Sequence, residues 1–228
     1  MEIGAITPAR IHIGRSGARM TTKELLKFRQ DHAIAMDAVW SHVDEEVVED
    51  LGFKIVNTLI KDKEEYIRRP DLGRRFSKET LEDIKNTCIN QPTVQIIAVD
   101  GLSSPAIDVN LKDIYGILTD GLIHKEISVG TPIFVRYGRV ATMDYISEAL
   151  GAEVTILLVG ERPGLATGES MSAYIAYQSS PDKPESQRTV VSNIHNGGLY
   201  PVEAGAQILH IVDIMLKEQK SGVDLKMM

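Results

Sequence analysis

Three short apolar runs constrain this chain more than any other feature. Residues 94–99 (Val-Gln-Ile-Ile-Ala-Val), 133–135 (Ile-Phe-Val) and 154–159 (Val-Thr-Ile-Leu-Leu-Val) are each a few residues long, rich in branched side chains and flanked by helix signals. A strand that shows water one face alternates apolar with polar; a run that is apolar throughout must be covered on both faces. Helical patterns over residues 106–125 and 143–150 separate the runs, and strands alternating with helices imply a parallel sheet. The expected fold is α/β, with a doubly wound, mostly parallel sheet and helices on both faces. Residues 171–177 and 188–194 read as two further strands finishing the sheet. Pro201 opens a last helix that buries Ala204, Ile208, Ile211, Val212 and Met215.

Ahead of that core lies different material. Residues 9–20 carry Arg10, Arg15 and Arg19 among Gly14, Ser16 and Gly17, too polar to pack, and read as an arm or loop. Thr21 followed by Glu24 is a capping box, so a long helix is expected to begin there, with Leu25, Phe28, Ile34, Met36 and Val39 broadly on one side. A second helical piece through Val47, Val48 and Leu51 ends at Gly52. Residues 53–60 alternate like a half-exposed strand or the start of a hairpin. After a basic turn at 68–75, Ser77 and Thr80 open a helix reaching about Asn90, on which Cys88 reads as a small core hydrophobe. The expected division is an arm and helical lobe over 1–90 and an α/β domain over 91–228.

Composition excludes several functions. With 25 Lys+Arg against 32 Asp+Glu in 228 residues, the net charge of -7 has the wrong sign for gripping nucleic acid. No apolar run approaches the ~20 residues of a membrane span, and the first residues lack a signal-peptide pattern, so the cytosol is the expected address. The single cysteine rules out an intrachain disulfide framework.

In open parallel sheets ligands sit beyond the carboxyl ends of the strands. The loops there are Asp100-Gly101-Leu102-Ser103-Ser104, Arg136-Tyr137-Gly138-Arg139-Val140 and Glu161-Arg162-Pro163-Gly164, which together are expected to rim one crevice, although any one of them alone does no more than turn the chain. Gly160, Gly164 and Gly168 lack the spacing of a phosphate loop, and Glu169 stands where its lysine belongs. No G-x-G-x-x-G follows a strand. The six histidines (His12, His32, His42, His124, His195 and His210) form no paired metal-ligand spacing. No serine or cysteine sits in a nucleophile elbow. Neither catalytic nor metal-ligating residues are therefore assigned, and a non-catalytic α/β binding module for a nucleotide-like ligand remains one reading.

A second reading comes from longer blocks: Ile13-Gly14-Arg15-Ser16-Gly17-Ala18-Arg19, Arg69-Pro70-Asp71-Leu72-Gly73-Arg74-Arg75, Val129-Gly130-Thr131-Pro132, Phe134-Val135-Arg136-Tyr137-Gly138-Arg139-Val140, Leu157-Leu158-Val159-Gly160-Glu161-Arg162-Pro163-Gly164-Leu165 and Ser192-Asn193-Ile194-His195. In these blocks and their order the chain resembles the small subunit of ethanolamine ammonia-lyase, from about residue 10 to 225. The resemblance implies a subunit of an adenosylcobalamin-dependent lyase that converts ethanolamine to acetaldehyde and ammonia and is inactive alone. A large barrel subunit would carry substrate and radical chemistry while this chain covers one side of the cobalamin. It further implies a bacterial cytoplasmic location within the ethanolamine-utilisation microcompartment, for which some relatives use a longer leader. The family's cobalamin contacts map onto Val140, Glu161 and Val190. Relatives can carry cysteine at the third position, so Val190 implies a backbone or van der Waals contact. The segment Asn193-Ile194-His195-Asn196-Gly197-Gly198 has the spacing of a cobalt-ligating Asp-x-His-x-x-Gly signature, with asparagine in the aspartate's place. His195 is accordingly expected to be a loop residue, with the cofactor keeping its own base on cobalt.

Overall fold

A computed structural model describes residue 11 and residues 13–225; Arg10 and His12 lie outside them. Four parallel strands form one side of a six-stranded sheet: β3 (Lys54–Asn57) at the edge, then β5 (Ile133–Arg136), β4 (Val94–Val99) and β6 (Val154–Gly160), side by side in that order. Two more strands extend the β6 side through antiparallel pairings, β7 (Met171–Tyr177) running against β6 and β8 (Thr189–Ile194) against β7. The sheet is thus mixed, and its parallel part is the part whose strands alternate with helices. The strand expected at residues 53–60 is no hairpin: β3 is a parallel edge strand, and one of the six strands therefore comes from before residue 90.

Strand alternation builds two separate cores. Ile96 and Ala98 of β4, with Phe134 and Leu158, face α5 (Ser104–His124) and α7 (Pro201–Glu218). Ile97 and Val99, with Ile133, Val135 and Val159, face α4 (Lys78–Thr87) and α6 (Thr142–Leu150). Every residue of β4 and β6 is buried, which is why those runs are apolar on both faces. Gln95 is the exception in β4: its Nε2 donates to the carbonyls of Ile96 and Thr131 at 2.9 and 2.8 Å, while its buried Oε1 finds no partner among the described residues.

Helix starts follow their caps. Ser77 Oγ accepts from Thr80 N at 3.1 Å and Ser103 Oγ from Ala106 N at 3.3 Å. Asp62 does the same for α3 (Lys63–Arg68), from Glu65 N at 2.9 Å. Gly151, at φ +67°, closes α6 in the left-handed region that favours glycine. Cys88 lies one residue beyond α4, buried as expected, and burial pushes its thiol pKa up.

The N-terminal part departs from expectation in two ways. The arm is a small hairpin of β1 (Arg15–Ser16) and β2 (Arg19–Met20), turning at Gly17 with φ +64°. Helix α1 (Thr22–Trp40) starts at Thr21 as the capping box predicts, but of its 19 residues Ala38 alone is buried. Leu26, Ile34 and Trp40 are 60%, 52% and 47% exposed. The short α2 (Glu45–Asp50) then returns to the core through Val48.

Candidate functional site

The three loops singled out at the carboxyl edge are bolted together by backbone and side-chain bonds. Asp100, at the end of β4, accepts from the amides of Tyr137 and Gly138, both at 2.9 Å, and so ties the first loop to the second. Beneath them the Tyr66 hydroxyl of α3 sits 2.7 Å from Gly101 O and 2.8 Å from Gly138 O. Arg139 lays its guanidinium over the Tyr66 ring, with Cζ 4.2 Å from the centroid, and donates to Tyr66 O at 3.1 Å. The third loop joins through Leu102 N, which donates to Gly160 O at 3.0 Å. Gly101 and Gly160 permit that approach: a Cβ on Gly160 would lie 2.0 Å from Ser103 O.

This packing removes charge from water. Burial pushes the Asp100 carboxyl up to about 6, against the opposing pull of Lys63 and the amides it accepts from. Lys63 is lowered, first by its own burial, and its Nζ finds no hydrogen-bond partner among the described residues. Burial also raises the Tyr66 hydroxyl well above its ordinary value. Sequence reasoning missed Lys63 and Tyr66, because nothing in their local pattern distinguishes them from the surface of a short helix.

Above the bolted loops lies an open depression of about 570 Å³ on the α4/α6 side of the sheet. Leu102, Arg139 and Val140 form one wall and Glu161 and Arg162 another; the floor continues over Ser172 and Tyr174 of β7 and Val190 and Ser192 of β8. Val140, Glu161 and Val190, far apart in sequence, thus share one surface. Val190 is 45% exposed while its neighbour Val191 is buried on the other face. The floor residues recur every second position along β7 and β8, a period-two signal that would have identified them.

Glu161 has a dense set of partners. One carboxylate oxygen accepts from Ser170 Oγ at 2.9 Å; the other accepts from Ser172 Oγ and from Asn193 N, the latter at 3.2 Å. It therefore clamps the end of β6 to both antiparallel strands. A carboxylate offers about four lone-pair sites, so about one is left for a ligand.

His195 is used within its own loop. Gly197 N donates to Nδ1 at 3.0 Å, which leaves the proton on Nε2, 3.0 Å from Asn193 Oδ1. Among the described residues no group of three His, Cys, Asp or Glu is placed to hold a metal ion. A second hollow of about 370 Å³ opens on the other side of the same edge, where Arg136 pairs with Glu45 at 2.5 Å and Tyr137 Oη lies 3.4 Å from His42.

The sequence matches the family described as ethanolamine ammonia-lyase light chain (EutC) over residues 1–226. It is 65% identical to the ethanolamine ammonia-lyase small subunit of Clostridium acetobutylicum over 225 residues, covering 99% of this chain and 93% of that one. The protein of the same description from Clostridium perfringens is 53% identical, and that from Clostridioides difficile 50%, each over 99% of this chain and 77% of its own length. The chain belongs to the ethanolamine ammonia-lyase light-chain family.

Proposed function

We propose that this chain is the small subunit of an adenosylcobalamin-dependent ethanolamine ammonia-lyase and that its depression covers one side of the cofactor. The observation that carries the reading is the gathering of Val140, Glu161 and Val190 on one open surface at the carboxyl edge of the sheet. That surface suits a large amide-decorated macrocycle. It alternates apolar contacts (Val140, Val190, Leu102) with hydrogen-bonding groups (Glu161, Ser192, Arg162). At about 570 Å³ and open to solvent, it accommodates part of such a molecule and leaves the remainder to a partner.

When bound, adenosylcobalamin supplies the radical chemistry that takes ethanolamine to acetaldehyde and ammonia. This chain's residues bind, orient and exclude water. Val140 and Val190 pack against the macrocycle, the remaining lone pair of Glu161 accepts an amide N–H from a side arm, and the bolted loops hold those groups in place. The large subunit carries substrate and radical chemistry. Its contact falls on the N-terminal lobe, residues 1–90, where α1 shows Leu26, Ile34 and Trp40 to solvent. A 19-residue helix with one buried residue draws little stability from its own chain and gains it from a partner surface. Residues 91–228 meet the cofactor. The assembly works in the bacterial cytoplasm, within the ethanolamine-utilisation microcompartment; no helix of the described residues is long and apolar enough to cross a membrane.

The test is co-expression with the large subunit. Ammonia release from ethanolamine is expected with both chains and adenosylcobalamin present and with neither chain alone. Turnover by the large chain without this one, or failure of the two chains to co-purify, would refute the reading.

A further inference from the structure

The depression carries a charge imbalance that the protein as a whole opposes. The net charge is -7, yet two guanidinium groups, Arg139 and Arg162, line this surface against one carboxylate, Glu161. Glu161 offsets only one of the two charges, and its oxygens are engaged by Ser170, Ser172 and Asn193 rather than by either guanidinium. Arg162 has no ion pair or hydrogen bond among the described residues. Arg139 stacks over the Tyr66 ring and donates to a neutral carbonyl, Tyr66 O, while its Nε is buried without an acceptor among the described residues. Lys63 Nζ lies 5.3 Å from the centroid of that same ring without a hydrogen-bond partner among the described residues, and the nearby Asp100 carboxylate offsets its charge, so the excess positive charge of the surface rests with the two guanidinium groups. An acidic protein that keeps an excess guanidinium at a ligand surface is matched to an anion.

This step rests on the cofactor reading above. The side arms of cobalamin are neutral amides; its one ionised group at neutral pH is the phosphodiester that links the macrocycle to its nucleotide tail. We propose that Arg162, backed by the field of Arg139, pairs with that phosphodiester and so sets the orientation of the cofactor in the depression. A planar guanidinium matches two phosphate oxygens at once. Glu161 and Arg162, adjacent in sequence, thereby divide the ligand between them: the carboxylate reads an amide donor, and the guanidinium reads the phosphate.

Three non-reactive cyano ligands test this by equilibrium dialysis with the two-chain enzyme: cyanocobalamin, cobinamide phosphate, which keeps the phosphate but not the nucleotide, and cobinamide, which keeps only the amide arms. Arg162→Met is expected to weaken the first two about tenfold, the scale of one partly exposed charge-assisted hydrogen bond, and to leave cobinamide unchanged. Arg162→Lys should recover part of the loss. Unchanged cobinamide binding also reports an intact surface. Equal weakening of all three ligands would assign Arg162 to the amide arms or to the fold and overturn the proposal, as would no weakening of any. If the unaltered two-chain enzyme fails to bind cyanocobalamin at all, the cofactor reading falls and this assignment with it.

Discussion

Replacing Glu161 by alanine removes a clamp as well as a ligand contact, and the structure gives the size of the structural part. Three donors lose their acceptor. Ser172 is 3% exposed, so its hydroxyl is left dry at a cost of about 1 to 3 kcal/mol. Ser170 is half-buried and the Asn193 amide belongs to an exposed residue; water replaces much of what they lose, about 0.5 kcal/mol each. The sum is about 2 to 4 kcal/mol. With a urea dependence near 2 kcal/mol per molar, the unfolding midpoint should fall by about 1 to 2 M, followed by far-ultraviolet circular dichroism. Glu161→Gln keeps one oxygen where two stood and should cost less than half as much. In the two-chain enzyme, cofactor affinity should fall by about one to two powers of ten for Glu161→Ala, whereas Val190→Ala, at a site already 45% exposed, should be mild in both measurements. An alanine variant unfolding within about 0.5 kcal/mol of the parent would show that the Ser170, Ser172 and Asn193 bonds do not clamp the strands.

Two further outcomes follow from buried charge. The Asp100 carboxyl titrates near 6 in the folded chain against an ordinary 3.8, so the native state holds its proton more tightly than the unfolded one. That contribution is complete below pH 4 and lost as pH rises through 6, by about 3 kcal/mol at most; Asp100→Asn should flatten this part of the stability profile, and parallel profiles for the two proteins would refute the assignment. Arg188 and Asp144 form an ion pair at 2.6 Å with side chains 9% and 7% exposed, and Asp144 also accepts from Ser179. Arg188→Met strands a buried carboxylate and should destabilise the chain by about 3 to 5 kcal/mol, measured by urea unfolding; a loss under 1 kcal/mol would mean that water reaches Asp144.

The sequence by itself determined the core of this protein. Runs such as 94–99 and 154–159 are legible because a strand buried on both faces has no other composition open to it, and helix starts at Thr21 and Ser77 are legible because capping is local chemistry. The loops at the strand ends were legible for the same reason, since the strands fix where they fall. Tertiary structure decided what locality cannot encode. Whether residues 53–60 formed a hairpin or a parallel edge strand depended on β5, some eighty residues away, and the reversed direction of β7, the one strand that runs against the other five of the sheet, depended on how the chain returns after Gly160. The sequence marked Glu161 as a rim residue but not as a clamp, because its partners Ser170, Ser172 and Asn193 reach it only once β6, β7 and β8 lie side by side. Lys63 and Tyr66 carry no local signal of burial; the loops of Asp100 and Arg139 that close over them come from β4 and β5, far away in sequence. Hydrophobic period and capping act over a few residues; burial of charge and the sharing of one surface by Val140, Glu161 and Val190 are properties of packing, and only the folded chain has them.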